Sequence, residues 1–188
     1  QYLPLLELSV AEDPEDDRNL HYLGREYLYY GRWDDCIRTL TRHLALPSAV
    51  WRDERAASMR YIARAHAQKG ERDEARDWYL RAAAEAPHLR EPWVDLAMLL
   101  YEDQEWDGVL YATACALKIR ERPRTYICEA EAWGSLPHDL RCQAYYHTGR
   151  LPQALEEARL ALAAAPSDPR LAGNAALLEK MAGTAGEL

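Results

Sequence analysis

The stretch from Met59 to Pro87, MRYIARAHAQKGERDEARDWYLRAAAEAP, constrains this chain most. Met59, Ile62, Ala63 and His66 mark one face of a first helix, and Ala75, Trp78, Tyr79, Ala82 and Ala83 mark one face of a second. Both sets follow the i, i+3, i+4, i+7 rhythm of an amphipathic helix. Gly70 falls at the turn between them, where a left-handed residue ends the first helix without a Cβ clash. Asp73 and Glu74 put negative charge on the positive end of the second helix, and Pro87 stops it. Neither helix can bury its face alone, so this hairpin needs copies beside it.

The copies follow along the chain, which reads as one array over 1–188. A half-repeat helix fills 1–14. Repeat 1 spans 17–47 and turns at Gly31; repeat 2 spans 56–87. Pro47 to Glu54, with Trp51, enlarges the connection between them. Repeat 3 covers 90–120, with Gln104 standing where glycine stood, 34 residues after Gly70. An irregular loop occupies 121–137, repeat 4 spans 138–166 and turns at Gly149, and a terminal helix covers 167–182. The last six residues, GTAGEL, read as a frayed end. The acidic run Glu12 to Asp17 is a solvated turn, since it lacks the interleaved ligands of a calcium loop.

A net charge of −8 sets this chain apart from nucleic-acid binders, which carry the opposite balance. No apolar run approaches the roughly 18 residues of a membrane span, and no signal-peptide pattern occurs. The first residue is Gln1 rather than Met, which reads as a processed form or a fragment of a longer protein. Cys36, Cys115, Cys128 and Cys142 have neither C-x-x-C nor zinc-finger spacing. They read as buried thiols in a reducing cytoplasm, with a disulfide or a redox role for Cys128 as the alternative.

A helical hairpin of this length with small residues at fixed points resembles the tetratricopeptide repeat. The family's Leu-Gly pair is matched by Leu23-Gly24 and loosely by Ile62-Ala63 and Leu96-Ala97. Its first-helix Tyr is matched by Tyr27 and Tyr145, with His66 and Leu100 in the middle copies. Its second-helix Ala is matched by Ala75 and Ala154, with Cys36 and Val109 elsewhere. Its later Ala is matched by Ala82, Ala116 and Ala161, with His43 in the first copy, and its closing Pro by Pro87 and Pro166. The resemblance covers nearly the whole chain. It implies an all-α fold of helical hairpins stacked in a right-handed superhelix, an α-solenoid. A narrower resemblance rests on Trp51 and on the segment Ala132-Trp133-Gly134 through Pro137, Asp139-Leu140. These pieces look like the helical-repeat region that follows the catalytic domain of bacterial family 2 glycosyltransferases. It implies a nucleotide-sugar site outside this chain and a glycan acceptor among the partners.

No constellation here demands catalysis, a metal or a cofactor. Asp34-Asp35 and Asp73-Glu74 read as first-turn helix charges. His138 and Asp139, adjacent on a helix, point in different directions. The histidines are scattered through different repeats, and no H-E-x-x-H occurs. The stronger candidate is a groove, because in such arrays the first helices line the concave side. Repeat position places His21, Arg25, Leu28, Tyr29, Arg60, Arg64, Ala67, Val94, Met98, Tyr101, Asp139, Gln143 and Tyr146 there. The arginines suit a carboxylate or phosphate, and the tyrosines add stacking area. The competing reading makes the arginines solvated charges paired with neighbours such as Glu26. The expected function is a non-catalytic recognition or assembly module, part of a glycosyltransferase or a free-standing interaction scaffold. Its expected partners are a protein or peptide, an acidic segment or glycan acceptor, and a second copy in a homodimer.

Overall fold

The computed structural model describes residues 2–185; Gln1 and the last three residues of the expected frayed tail lie outside the described residues. Among the described residues there are ten α-helices, one short 3-10 turn and no strand. They form two compact units, residues 1–87 and 88–188. Pro87, which cannot continue α5, closes the first unit.

The first unit holds α1 (Leu3–Glu12), α2 (Asp17–Tyr29), α3 (Trp33–Ala45), α4 (Arg52–Gln68) and α5 (Arg72–Glu85). Helices α2 and α3 form one hairpin, α4 and α5 the next, and α4 packs on both helices of the first. Asp16 caps α2 by accepting the Asn19 N–H at 2.9 Å. Gly24 is a packing device: a Cβ there would lie 2.3 Å from Leu40 Cδ2, so only glycine lets α2 and α3 approach this closely. The enlarged connection is fastened by Arg55, which donates to the Leu44 and Ala49 carbonyls at 3.0 Å and to Glu85 at 2.9 Å. Trp51 stands at the head of α4, partly exposed.

The second unit holds α6 (Glu91–Glu102), α7 (Trp106–Lys118), α8 (Leu136–His147), α9 (Leu151–Ala164) and α10 (Pro169–Ala185). The tail expected to fray is therefore helical through Ala185. Between α7 and α8 the irregular segment contains the 3-10 turn Ala130–Trp133. It is pinned from α6. Glu91, almost fully buried, accepts the Trp133 indole N–H at 2.8 Å and the Glu129 backbone N–H at 3.0 Å. Arg90 lies over the Trp133 ring, 4.3 Å from its centroid, and donates to the Ile119 carbonyl at 2.7 Å. Burial holds the Arg90 guanidinium below its ordinary pKa, and the neighbouring Glu91 carboxylate opposes that.

All four hairpins turn in the same way. Gly31, Gly70, Gln104 and Gly149 have positive φ, at 71°, 79°, 59° and 73°. Each donates to a carbonyl of the last helical turn, and the residue after it donates to a carbonyl deeper in the same helix: Arg32 to Tyr27, Glu71 to His66, Glu105 to Leu100 and Arg150 to Tyr145. These bonds satisfy carbonyls that the helix end leaves open. The second helices bury the expected small residues, with Ala75, Ala82, Ala154 and Ala161 fully enclosed and Cys36 and Val109 in the equivalent places. All four cysteines are free thiols. Burial raises the pKa of Cys36 to about 12, which leaves it an inert core residue.

Candidate functional site

In the second unit, α6, α8 and α10 enclose a groove. Met98, Tyr101 and Glu102 come from α6, Leu136, Asp139, Leu140 and Gln143 from α8, and Arg170 from α10, around a cavity of about 300 Å³. A smaller hollow of about 120 Å³ continues between α8 and α10, where Tyr146 and Leu177 stand. Met98 is 42% exposed, Tyr101 36% and Tyr146 40%, which is unusual for large apolar side chains gathered on one face. Four of the residues expected from sequence, Met98, Tyr101, Asp139 and Gln143, line one cavity, and Tyr146 lies beside them.

Two supports hold the walls. Glu157 on α9 accepts from Arg141 Nε at 2.6 Å and lies 2.7 Å from His138 Nδ1, fixing α8 from behind. Burial pushes the Glu157 carboxyl up, but the His138 and Arg141 bonds and charges outweigh it and leave it below the ordinary glutamate range. An aromatic ladder then joins α6 to α8. Tyr101 meets Trp106 edge to face at 5.7 Å, Trp106 stacks on His147 at 4.3 Å, and His147 meets Tyr146 at 5.4 Å. Nothing in the sequence marks this ladder: Trp106 and His147 belong to different repeats, and the histidines are scattered along the chain.

The floor of the groove is polar. Asp139 Oδ2 accepts from Arg170 Nη2 at 2.8 Å, which raises the pKa of Arg170. Asp139 Oδ1 is buried and makes no hydrogen bond.

The first unit distributes its expected site residues differently. Tyr29 is well exposed at the end of α2. Arg25 is partly exposed, 3.4 Å from Glu26 Oε1, with its guanidinium 5.0 Å from the Tyr22 ring centroid. Arg64 is partly exposed and lies 5.7 Å from the Tyr61 ring centroid. Arg60 and His21 are 0% exposed, and Leu28, like Val94 in the second unit, is buried too. Their expected place on an open face is corrected: residues 56–63 of α4 are all buried, so this part of the helix presents no face to solvent, and His21 is drawn into the interior by a polar network.

That network is centred on Ser58. Its Oγ lies 2.8 Å from His21 Nδ1 and 3.1 Å from His43 Nδ1, and His43 Nε2 lies 3.6 Å from Glu54 Oε1. One proton order fits: His21 Nδ1–H donates to Ser58, Ser58 donates to His43 Nδ1, and His43 Nε2–H faces Glu54. Glutamate, histidine and serine here superficially resemble a nucleophilic triad, but Ser58 is fully enclosed, so the chain of bonds is structural. His43 occupies the place of a small residue in the repeat, and this departure was the signal available in the sequence.

Among the described residues no group of three or more His, Cys, Asp or Glu is placed to hold a metal ion, and no helix is long and apolar enough to cross a membrane.

No protein-family model and no curated protein matches the chain. Solved structures do. MamA is 19% identical, with 85% of this chain and 84% of that one covered and a TM-score of 0.68. YrrB, described as a TPR protein with an unusual peptide-binding site, is 13% identical over 95% of this chain and 84% of its own, with a TM-score of 0.66. A thermophilic TPR protein from Thermus thermophilus is 19% identical over 94% of this chain and 88% of its own, with a TM-score of 0.62. At these identities the likeness establishes the fold, and the fold is that of tetratricopeptide-type helical hairpins.

Proposed function

We propose that this chain is a non-catalytic recognition module that binds a segment of a partner protein in the groove formed by α6, α8 and α10. The observation that carries this reading is the gathering of Met98, Tyr101 and Gln143 around one cavity, with Tyr146 in the adjoining hollow and the apolar surface of Met98, Tyr101 and Tyr146 open to solvent. Apolar anchors flanked by a few polar groups are what peptide grooves use. The peptide-binding site described for YrrB, a protein of the same fold, adds support. The test is selection of peptides from a random library on the protein, followed by binding to Met98→Glu and Tyr101→Ala variants. Loss of binding in both is expected; peptides that bind both variants as well as the unaltered protein would place the site elsewhere.

A second reading concerns the first unit. Arg25 and Arg64 remain partly exposed beside tyrosines, and they suit an acidic segment. Arg25→Ala with Arg64→Ala is expected to weaken binding of an oligo-glutamate peptide, and unchanged binding would remove this reading. The attachment to a family 2 glycosyltransferase, with a glycan acceptor, rests on Trp51 and on the segment from Ala132 to Leu140. The sequence preceding Gln1 tests it: a strand-rich domain with paired aspartates supports it, and its absence leaves a free-standing scaffold.

A further inference from the structure

We propose that the groove of the second unit takes a cationic side chain, a Lys or Arg beside an apolar residue of the bound segment, with Asp139 as its receptor; this rests on the peptide-binding reading above. Asp139 is 8% exposed, and its two oxygens differ. Oδ2 is held by Arg170, while Oδ1 is buried with no donor. A carboxylate oxygen removed from water without a hydrogen bond is a costly arrangement, and it is relieved by an N–H donor brought from outside.

Arg170 shows which chemistry fits. It reaches Asp139 from α10 through one hydrogen bond, although a guanidinium offers five N–H donors, and its own side chain is 57% exposed. An ion pair with one partner in water is weak and easily exchanged. A cation delivered by a bound segment arrives with apolar groups that exclude water, and the same carboxylate then attracts it more strongly. Met98, Leu136 and Leu140 offer apolar surface for the methylene stem of such a residue, and Tyr101 offers an aromatic ring. Glu102 adds a second acidic group to the same wall, and the net charge of −8 favours approach of a cationic segment. Arg170 on Oδ2 and the ligand cation on Oδ1 thus compete for the charge of one carboxylate.

Random 12-residue peptides displayed on phage and selected on the full chain provide the probe, with affinities of one selected peptide measured by fluorescence anisotropy. The selected set is expected to be rich in Lys or Arg next to an apolar residue. Asp139→Asn is expected to weaken binding by about 30-fold or more, in line with removal of one partner of a desolvated charge pair. Arg170→Ala is expected to tighten it, and replacing the peptide's cation by norleucine is expected to abolish both effects. A purely structural pair would make both variants weaker, and that result overturns the proposal. Groove-dependent peptides lacking a cation overturn it while leaving the peptide-binding reading intact. A failure to select any peptide sensitive to Met98→Glu removes both. Should Asp139→Asn not fold, Arg170→Ala decides alone, with tightening in favour and unchanged or weaker binding against.

Discussion

Trp106 and His147 stack face to face, with ring centroids 4.3 Å apart and planes 7° from parallel. The pair ties the start of α7 to the end of α8, and through Tyr101 and Tyr146 it sets the spacing of the two groove walls. A double-mutant cycle with Trp106→Ala and His147→Ala is expected to give a coupling of about 0.5–1.5 kcal/mol, the range of aromatic pairs. Urea unfolding measures it. Strict additivity would show that the stack contributes nothing to the fold.

Gly24 faces Leu40 with no room for a methyl group. Gly24→Ala is expected to destabilise the first unit by about 1–3 kcal/mol, because the added carbon forces Leu40 off its rotamer or the helices apart. Gly173 meets nothing within 4 Å at the same position of an added Cβ, so Gly173→Ala in α10 provides the contrast and should be neutral or stabilising. Equal effects of the two would contradict the packing argument.

Gln104 holds a left-handed conformation, φ 59°, that its three counterparts give to glycine. Gln104→Gly is expected to raise stability by about 1 kcal/mol, since the Cβ of an L-residue opposes this region by about that much. A shift of the urea midpoint to higher concentration at unchanged slope is the outcome to look for. A shift to lower concentration would mean that the Gln104 side chain stabilises the turn in some other way.

His21 has its pKa lowered to about 4, chiefly because burial strips water from the imidazolium; Glu54 opposes this, and His43 and Arg25 add to it. The unfolded chain therefore binds a proton near pH 6.5 that the folded chain refuses until about pH 4. Stability from this group is complete above pH 6.5 and is lost as pH falls from there toward 4, by about 3 kcal/mol if the whole shift is expressed. Unfolding midpoints measured from about pH 8 to about pH 4.5 should fall through this window. His21→Phe, whatever its absolute stability, should flatten the slope there, and an unchanged slope would assign the acid sensitivity to another group.

The helices and their turns were legible in the sequence because each depends on neighbours a few residues away. The hydrophobic rhythm of Met59–Pro87, the offset that put Gln104 in a glycine's place and the stop at Pro87 all reappear in the structure. The convergence of Met98, Tyr101 and Gln143 was legible too, since equivalent positions of successive first helices share a face. Burial of the charged positions was not legible. Arg60 and Arg25 look alike as letters, yet Arg60 is fully enclosed and Arg25 is not. His43 in a small residue's position announced a departure without naming Ser58 and His21 as its partners.

The sequence by itself determined an array of helical hairpins, because helix periodicity, left-handed turns and proline stops act locally. Tertiary structure decided which charges are enclosed and which remain accessible. It also decided that Asp139 meets Arg170 from another helix and that Trp106 finds His147. Those outcomes depend on distances between helices remote in the chain, and such distances are fixed only when side chains such as Leu40 against Gly24 set how closely the helices pack.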